Sequence, residues 1–390
     1  MESIISLDKE YVAGTYGRFP VELVSGKGSI LTGSDGKKYI DLGSGIGVTC
    51  FGIADDVWTE AVTAQLAKLQ HTSNLYYTEP CVRLAKALCE KTGMKKVFFS
   101  NSGAEANECA IKVARKYSSE RKGPDCHTIV TLVNSFHGRT LTTLAATGQD
   151  HFHELFQPLT PGFAYVAAND VQALQETVNQ VNAAGIMLEC VQGEGGVVPL
   201  TKEFVEAAAK IAREQDIPLI VDEVQTGNGR TGALYAYMNY GITPDIVSTA
   251  KGLGGGLPIG ATLMGEKVQN VLGPGDHGST YGGNPVCSAG ALSVIERLDD
   301  AFLAQVRKKS EYVFSELEGA DGVESVKGMG LMIGIKTVKP AREVVNACIE
   351  KGVLCLTAKD KVRLLPALNI PMDVLKEAVA VIKAVCAEVE

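Results

Sequence analysis

The feature that most limits what this chain can fold into is the placement of its glycines. The 390 residues include 42 glycines, against the ~28 expected at an average share of about 7%. The surplus is clustered and follows no collagen-like or repeat period. Clusters stand at GSGIG (43–47), SGAE (102–105), FHGR (136–139), QGEGG (192–196), QTGNGRTG (225–232), KGLGGG (251–256) and TYGGN (280–284). Several follow a short apolar run rich in β-branched or aromatic residues: KKVFFS at 95–100, HTIVTLV at 127–133 and IPLIVDEV at 217–224. Amphipathic helical patterns lie between them, as in AEANECAIKVARKY at 104–117 and TKEFVEAAAKIAREQ at 201–215. Strand, glycine-rich turn and helix in alternation predict an α/β fold with a mainly parallel sheet. In such sheets ligands gather at the carboxyl ends of the strands, where these turns fall.

The texture changes after about residue 286. A long helical stretch leads to short strands around GMGLMIGIK and KVRLLP, and the chain closes on the amphipathic MDVLKEAVAVIKAVCAEVE. This predicts a large domain at 46–285 and a smaller α+β domain at 286–390, joined by an N-terminal segment at 1–45.

Composition removes several classes of function. Thirty-seven Lys and Arg against 45 Asp and Glu give a net charge of -8, which argues against a general affinity for nucleic acid or anionic membrane. No run reaches the ~18 apolar residues of a membrane helix. The start, MESIISLDKEYV, lacks the basic-then-apolar pattern of a secretory signal. Ten scattered cysteines without a two-residue spacing read as reduced, buried thiols of a cytoplasmic protein. His151 and His153 have metal-like spacing but no third ligand nearby, so they read as a surface turn, and no metal is expected. Trp58, the single tryptophan, reads as helix packing without functional meaning.

Three constellations can carry chemistry. NSGAEANE at 101–108 joins a strand to a helix start, and is either an ordinary βα turn or an anion site made by free N–H groups at the helix dipole. IPLIVDEVQTG delivers Asp222 and Glu223 to a strand end. There they are either solvated acids of a turn or buried groups needing a cation or hydrogen-bond donors. Lys251, between alanine and glycines, is either a solvated loop lysine or a partly desolvated amine with a lowered pKa. Together a phosphate cradle, a strand-end carboxylate and a shielded lysine are what pyridoxal phosphate needs.

With HTSNLYYTEP (71–80), NSGAEANE, FHGRT, LECVQGEGGV (188–197), DEVQTGNGRTG, AKGLGGGLPIGA and HGSTYGGNP (277–285), the chain resembles the class III, fold-type-I pyridoxal-phosphate aminotransferases, most closely their acetylornithine group. The likeness runs from TYGRFPVELVSGKG to the final helix. It implies that Lys251 holds the cofactor aldehyde and carries a proton, and that Asp222 pairs with the pyridine nitrogen. Gln225 approaches the phenolic oxygen, with Glu223 and Val224 beside it, and Phe136 stacks on the ring. Ser102, Gly103 and Ala104 hold the phosphate, which Thr280 of a second subunit completes, so a homodimer with shared sites is implied.

For the substrate, the resemblance implies that Arg139 grips a carboxylate, with Ser279 nearby. Glu194 and Arg363 form a switchable pair, closed for an ω-amino donor and open for 2-oxoglutarate, whose carboxylate Arg363 then binds. The alternative is a permanent buried bridge. The implied reaction moves the δ-amino group of N2-acetyl-L-ornithine to 2-oxoglutarate, a step of arginine biosynthesis. Alternatives are 4-aminobutyrate, succinylornithine or succinyldiaminopimelate as donor, an aminomutase, or a lapsed dimeric scaffold. Ornithine aminotransferases carry a tyrosine in the segment matching SGIGV, where this chain offers Ile46 and no polar partner, and an apolar wall suits an acylated, uncharged α-nitrogen.

Overall fold

The apolar runs form one seven-stranded sheet in a computed structural model that describes residues 3–388. Its order is Lys96–Ser100, Gly260–Met264, Ile246–Thr249, Leu219–Asp222, Ala183–Leu188, Thr128–Leu132 and Phe163–Val166. Gly260–Met264 is antiparallel to both neighbours, and the other pairings are parallel. Ala183–Leu188, Leu219–Asp222 and Ile246–Thr249 are buried along their whole length. A strand covered on both faces has no polar side to show, which explains the apolar runs AAGIML at 183–188 and LIV at 219–221. Each fully buried aliphatic side chain there contributes ~1.5–3 kcal/mol relative to exposure.

The helix Gly103–Lys122 lies on this sheet and buries Ala106, Cys109, Ala110, Val113, Ala114 and Tyr117, a helical three-and-four spacing. Ser102 caps it by accepting a hydrogen bond from the Glu105 N–H, and Gly123 ends it with positive φ. A four-stranded sheet joins Leu23–Lys27, Ile30–Gly33 and Lys38–Asp41 to Val353–Leu354, which runs parallel to Lys38–Asp41. A second, antiparallel one contains Val323–Met329, Met332–Thr337, Lys361–Leu364 and Leu356–Ala358.

The long helical stretch after residue 285 is two helices, Pro285–Arg297 and Asp300–Leu317. Asp299 accepts from the Phe302 N–H and starts the second as its cap, so a sequence that reads as continuous is broken by local hydrogen bonding. Among the described residues no helix is long and apolar enough to cross a membrane, and no three His, Cys, Asp or Glu side chains group to hold a metal. His153 Nε2 meets the Leu144 carbonyl oxygen, while the His151 ring lies against Phe152.

Candidate active site

Because Gly260–Met264 is reversed, its start meets the carboxyl ends of its neighbours at one sheet edge. A cavity of about 650 Å³ opens there. The strand Lys96–Ser100 delivers Asn101, Ser102, Gly103 and Ala104 to its wall. The Glu105 carboxylate reaches back to the Asn101 N–H at 2.7 Å, which holds the turn before the helix. The first N–H groups of that helix have no partner within it, and the helix dipole makes them an anion cradle. A Cβ on Gly103 would stand 2.6 Å from Val224 Cγ1, so only glycine lets the cradle close against the strand end carrying Asp222.

Asp222 ends its strand and is 3% exposed. Its Oδ2 accepts from His137 at 2.8 Å and from Asn107 Nδ2 at 2.7 Å, and its Oδ1 accepts from the Val224 N–H at 3.0 Å. These three donors fix the position of the carboxylate at the strand end. Glu189 also lines the cavity, and its carboxylate accepts from the Phe136 N–H at 3.0 Å and the Gly193 N–H at 3.2 Å. Burial pushes the Glu189 carboxyl up to about 7, with His137 opposing the rise and Asp222 adding to it.

Lys251 follows the strand Ile246–Thr249 and sits at φ +46°, a conformation disfavoured for a side chain with a Cβ. Burial lowers its pKa, although the carboxylates of Glu194, Asp222 and Glu189 work the other way. The outcome is an amine more easily deprotonated than a surface lysine. Lys251, Asp222, Val224, Gln225 and Phe136 all line the same cavity.

Arg139 also lines it, with its guanidinium over the rings of Phe152 at 4.3 Å and Phe136 at 5.5 Å. Among the described residues it has no carboxylate within 4.0 Å, so its charge is available to a ligand. Arg363 and Glu194 stand one layer behind Gln225. Arg363 Nη1 donates to Glu194 Oε1 at 2.5 Å and to Gln225 Oε1 at 3.1 Å, while Gln225 Nε2 donates to Glu194 Oε1 at 3.3 Å. Burial works to raise the Glu194 pKa, but Arg363 beside it holds the carboxyl below its ordinary value. Arg363 is 3% exposed, and its Nε has no partner.

Some residues stand elsewhere than the sequence reading suggests. The Glu223 side chain turns into the core, where its carboxylate accepts from Thr226 Oγ1 at 2.6 Å and the Tyr237 N–H at 2.9 Å. Adjacent residues of a strand point to opposite faces, so Asp222 and Glu223 cannot share one pocket. Ile46 is 42% exposed and off the cavity wall, and Val48 supplies the apolar surface there. Ser279 sits one hydrogen bond behind the wall, its Oγ 3.1 Å from Asn101 Nδ2, and Thr280 is exposed.

Sequence reasoning missed Tyr16, Asn107 and Glu189. Asn107 lies one helical turn beyond Gly103, and Glu189 follows an apolar strand just as Asp222 ends one, so both had readable signals. Tyr16 reaches the cavity from far along the chain, and no local pattern marks it.

The sequence model of the family described as "Aminotransferase class-III" matches residues 11–386. The chain belongs to the class-III aminotransferases. An acetylornithine aminotransferase of Haemophilus ducreyi is 50% identical to this class-III aminotransferase over 99% of both chains. Another, from Methanocaldococcus jannaschii, is 43% identical over 100% of this chain and 99% of its own. Among solved structures, N-acetylornithine aminotransferase of Stenotrophomonas maltophilia matches with a TM-score of 0.84 at 33% identity, covering 98% of both chains. Ornithine aminotransferase of Toxoplasma gondii matches at 0.94 and 30% identity, over 98% of this chain and 94% of that one. A further structure of the Toxoplasma protein reports pyridoxal phosphate at partial occupancy in its active site.

The class-III aminotransferases depend on pyridoxal phosphate, and this site fits that group. It offers an anion cradle, a buried carboxylate facing the cavity from a strand end, and a lysine with a lowered pKa in one space of about 650 Å³.

Proposed function

We propose that this class-III aminotransferase moves the δ-amino group of N2-acetyl-L-ornithine to 2-oxoglutarate, giving N-acetyl-L-glutamate 5-semialdehyde and L-glutamate in arginine biosynthesis. The observation that carries this reading is the closed Glu194–Arg363–Gln225 cluster beside the cavity. The full-length likeness to acetylornithine aminotransferases supports it.

The residues divide the work as follows. Ser102, Gly103 and Ala104 would hold the phosphate, Asp222 the pyridine nitrogen, Gln225 the phenolic oxygen, and Phe136 and Val224 the ring faces. Bound pyridoxal phosphate supplies an electron sink for the substrate carbon and an aldehyde that exchanges amino groups. His137 and Asn107 hold the Asp222 carboxylate in place. Lys251 takes and returns a proton at Nζ, which its lowered pKa makes easier than for a surface lysine. Arg139 grips the carboxylate of either substrate as a bidentate fork.

With a donor carrying a terminal amine, Glu194 masks the Arg363 charge and leaves the space uncharged. With 2-oxoglutarate, Glu194 turns toward solvent and Arg363 receives the carboxylate next to the keto group. Val48 presents no polar partner, so the wall tolerates an acylated α-nitrogen better than an ammonium.

The active enzyme in this reading is a homodimer. Its support is the exposed run Leu75, Tyr76 and Tyr77, at 85%, 69% and 98%, together with an exposed Thr280 free to reach a partner. We also assign 1–45 and 286–390 to one small domain and 46–285 to the large one, supported by the pairing of Val353–Leu354 with Lys38–Asp41. The reaction is tested with N2-acetyl-L-ornithine isotopically labelled at the δ-nitrogen. The label should enter glutamate only when 2-oxoglutarate is present. Unlabelled glutamate, or none, would contradict the proposal.

A further inference from the structure

We propose that Trp58 is a positioning residue for Lys251. The indole fits a slot whose walls are glycines. A Cβ on Gly255 would come within 2.8 Å of Trp58 Nε1, one on Gly290 within 2.9 Å, and one on Gly256 within 3.5 Å of the six-membered ring. Two of these glycines belong to the KGLGGG turn that begins at Lys251, and the third lies on the helix Pro285–Arg297. Trp58 enters from the first turn of the helix Asp56–Lys68, which Asp55 caps by accepting from the Trp58 N–H at 3.0 Å. Arg297 fixes that cap from the opposite helix with a 2.8 Å ion pair to Asp55.

The contact reaches Lys251 in two hydrogen bonds. Trp58 Nε1 donates to the Gly254 carbonyl oxygen at 3.0 Å, and the Gly254 N–H donates to the Lys251 carbonyl oxygen at 3.1 Å. Lys251 itself stands at φ +46°, a backbone state that persists only where its surroundings impose it. The residues between are glycine or leucine, so the turn has little stiffness of its own. Trp58 therefore supplies the stiffness, and the small glycines are what let so large a side chain approach the turn. Trp58 is not among the residues that line the cavity, and acts through the backbone of Lys251.

This inference rests on the cofactor reading of the site, and its test separates the two. The holoenzyme is made as wild type, Trp58→Phe, Lys251→Ala and the double variant, and release of pyridoxal phosphate into excess apo-acceptor protein is followed by absorbance. Trp58→Phe keeps an aromatic ring in the slot and removes the donor to Gly254. Release should then quicken by about tenfold, the scale of one lost hydrogen bond. In the Lys251→Ala background the same substitution should change release by less than about twofold, because the residue through which Trp58 acts is gone.

A second variant, Gly290→Ala, puts a methyl group within 2.9 Å of Trp58 Nε1 and displaces the indole without replacing any residue of the Lys251 turn. It should reproduce the faster release and add little to Trp58→Phe. Equal acceleration in both backgrounds would make Trp58 a general structural residue and overturn the proposal. No acceleration in either background would overturn it too. Failure of the wild-type protein to take up the cofactor would instead overturn the reading of the site.

Discussion

Glu194→Gln is the substitution that most sharply separates a switch from a fixed bridge. The charge centres of a contact pair of this kind lie roughly 4 Å apart, which at an effective dielectric constant of about 20 corresponds to ~4 kcal/mol. The Glu194 side chain is 32% exposed while that of Arg363 is 4%, so screening reduces the useful part to ~2 kcal/mol. The glutamine keeps the size and one carbonyl oxygen but leaves the Arg363 charge unmasked beside Gln225.

That charge opposes an incoming amine and suits a carboxylate. The kcat/KM for the ω-amino donor should fall by about thirtyfold, the factor equivalent to ~2 kcal/mol. The KM for 2-oxoglutarate should stay level or fall, since no bridge must open. Steady-state kinetics with each substrate varied in turn reads both numbers, and a melting curve confirms that the variant is folded. Equal losses for donor and acceptor would mean that the pair is a fixed support, and a larger loss for 2-oxoglutarate would reverse the assigned roles.

Three other outcomes follow from the same geometry. Arg139→Lys replaces a planar fork with a point charge and should lower kcat/KM at least tenfold for both substrates in the same kinetic assay, because each uses that group. Lys251→Ala should retain pyridoxal phosphate through the phosphate cradle and Asp222 yet support no multiple turnover, as equilibrium dialysis and product assay would show. Glu223 has its carboxyl raised from 4.5 to about 7 by burial, against the hydrogen bonds from Thr226 and the backbone N–H groups of Ala236 and Tyr237. The folded protein therefore keeps a proton that the unfolded chain releases. This stabilising contribution is complete below about 4.5 and is lost as pH rises through about 7. Glu223→Gln should flatten that decline in melting temperature, and an unchanged slope would refute it.

Much of this was legible in the sequence because strand ends punctuate it. Asp222 ends an unbroken apolar run, and a glycine-rich turn after the strand Ile246–Thr249 begins at Lys251, so local pattern alone places both at one sheet edge. Side-chain direction is less legible. The Glu223 carboxylate faces the core because pleating turns adjacent residues apart, and a register of one residue decides it. Val48 rather than Ile46 faces the cavity because Gly45 and Ile46 both take positive φ, a kink that no propensity argument predicts for isoleucine. Tyr16 depends on how the N-terminal segment crosses the sheet edge, and Trp58 on glycines nearly two hundred positions or more along the chain. Those are facts of tertiary contact, which periodicity does not carry.

The central claim is the identity of the amino donor, and a half-reaction tests it most directly. Holoenzyme without 2-oxoglutarate is mixed in turn with N2-acetyl-L-ornithine, L-ornithine and 4-aminobutyrate, and the loss of the absorbance of lysine-bound cofactor is followed at several concentrations. The account predicts the highest ratio of rate to apparent affinity constant for N2-acetyl-L-ornithine, at least tenfold above L-ornithine, whose α-ammonium would face the apolar surface of Val48. A higher ratio for L-ornithine or 4-aminobutyrate would contradict it.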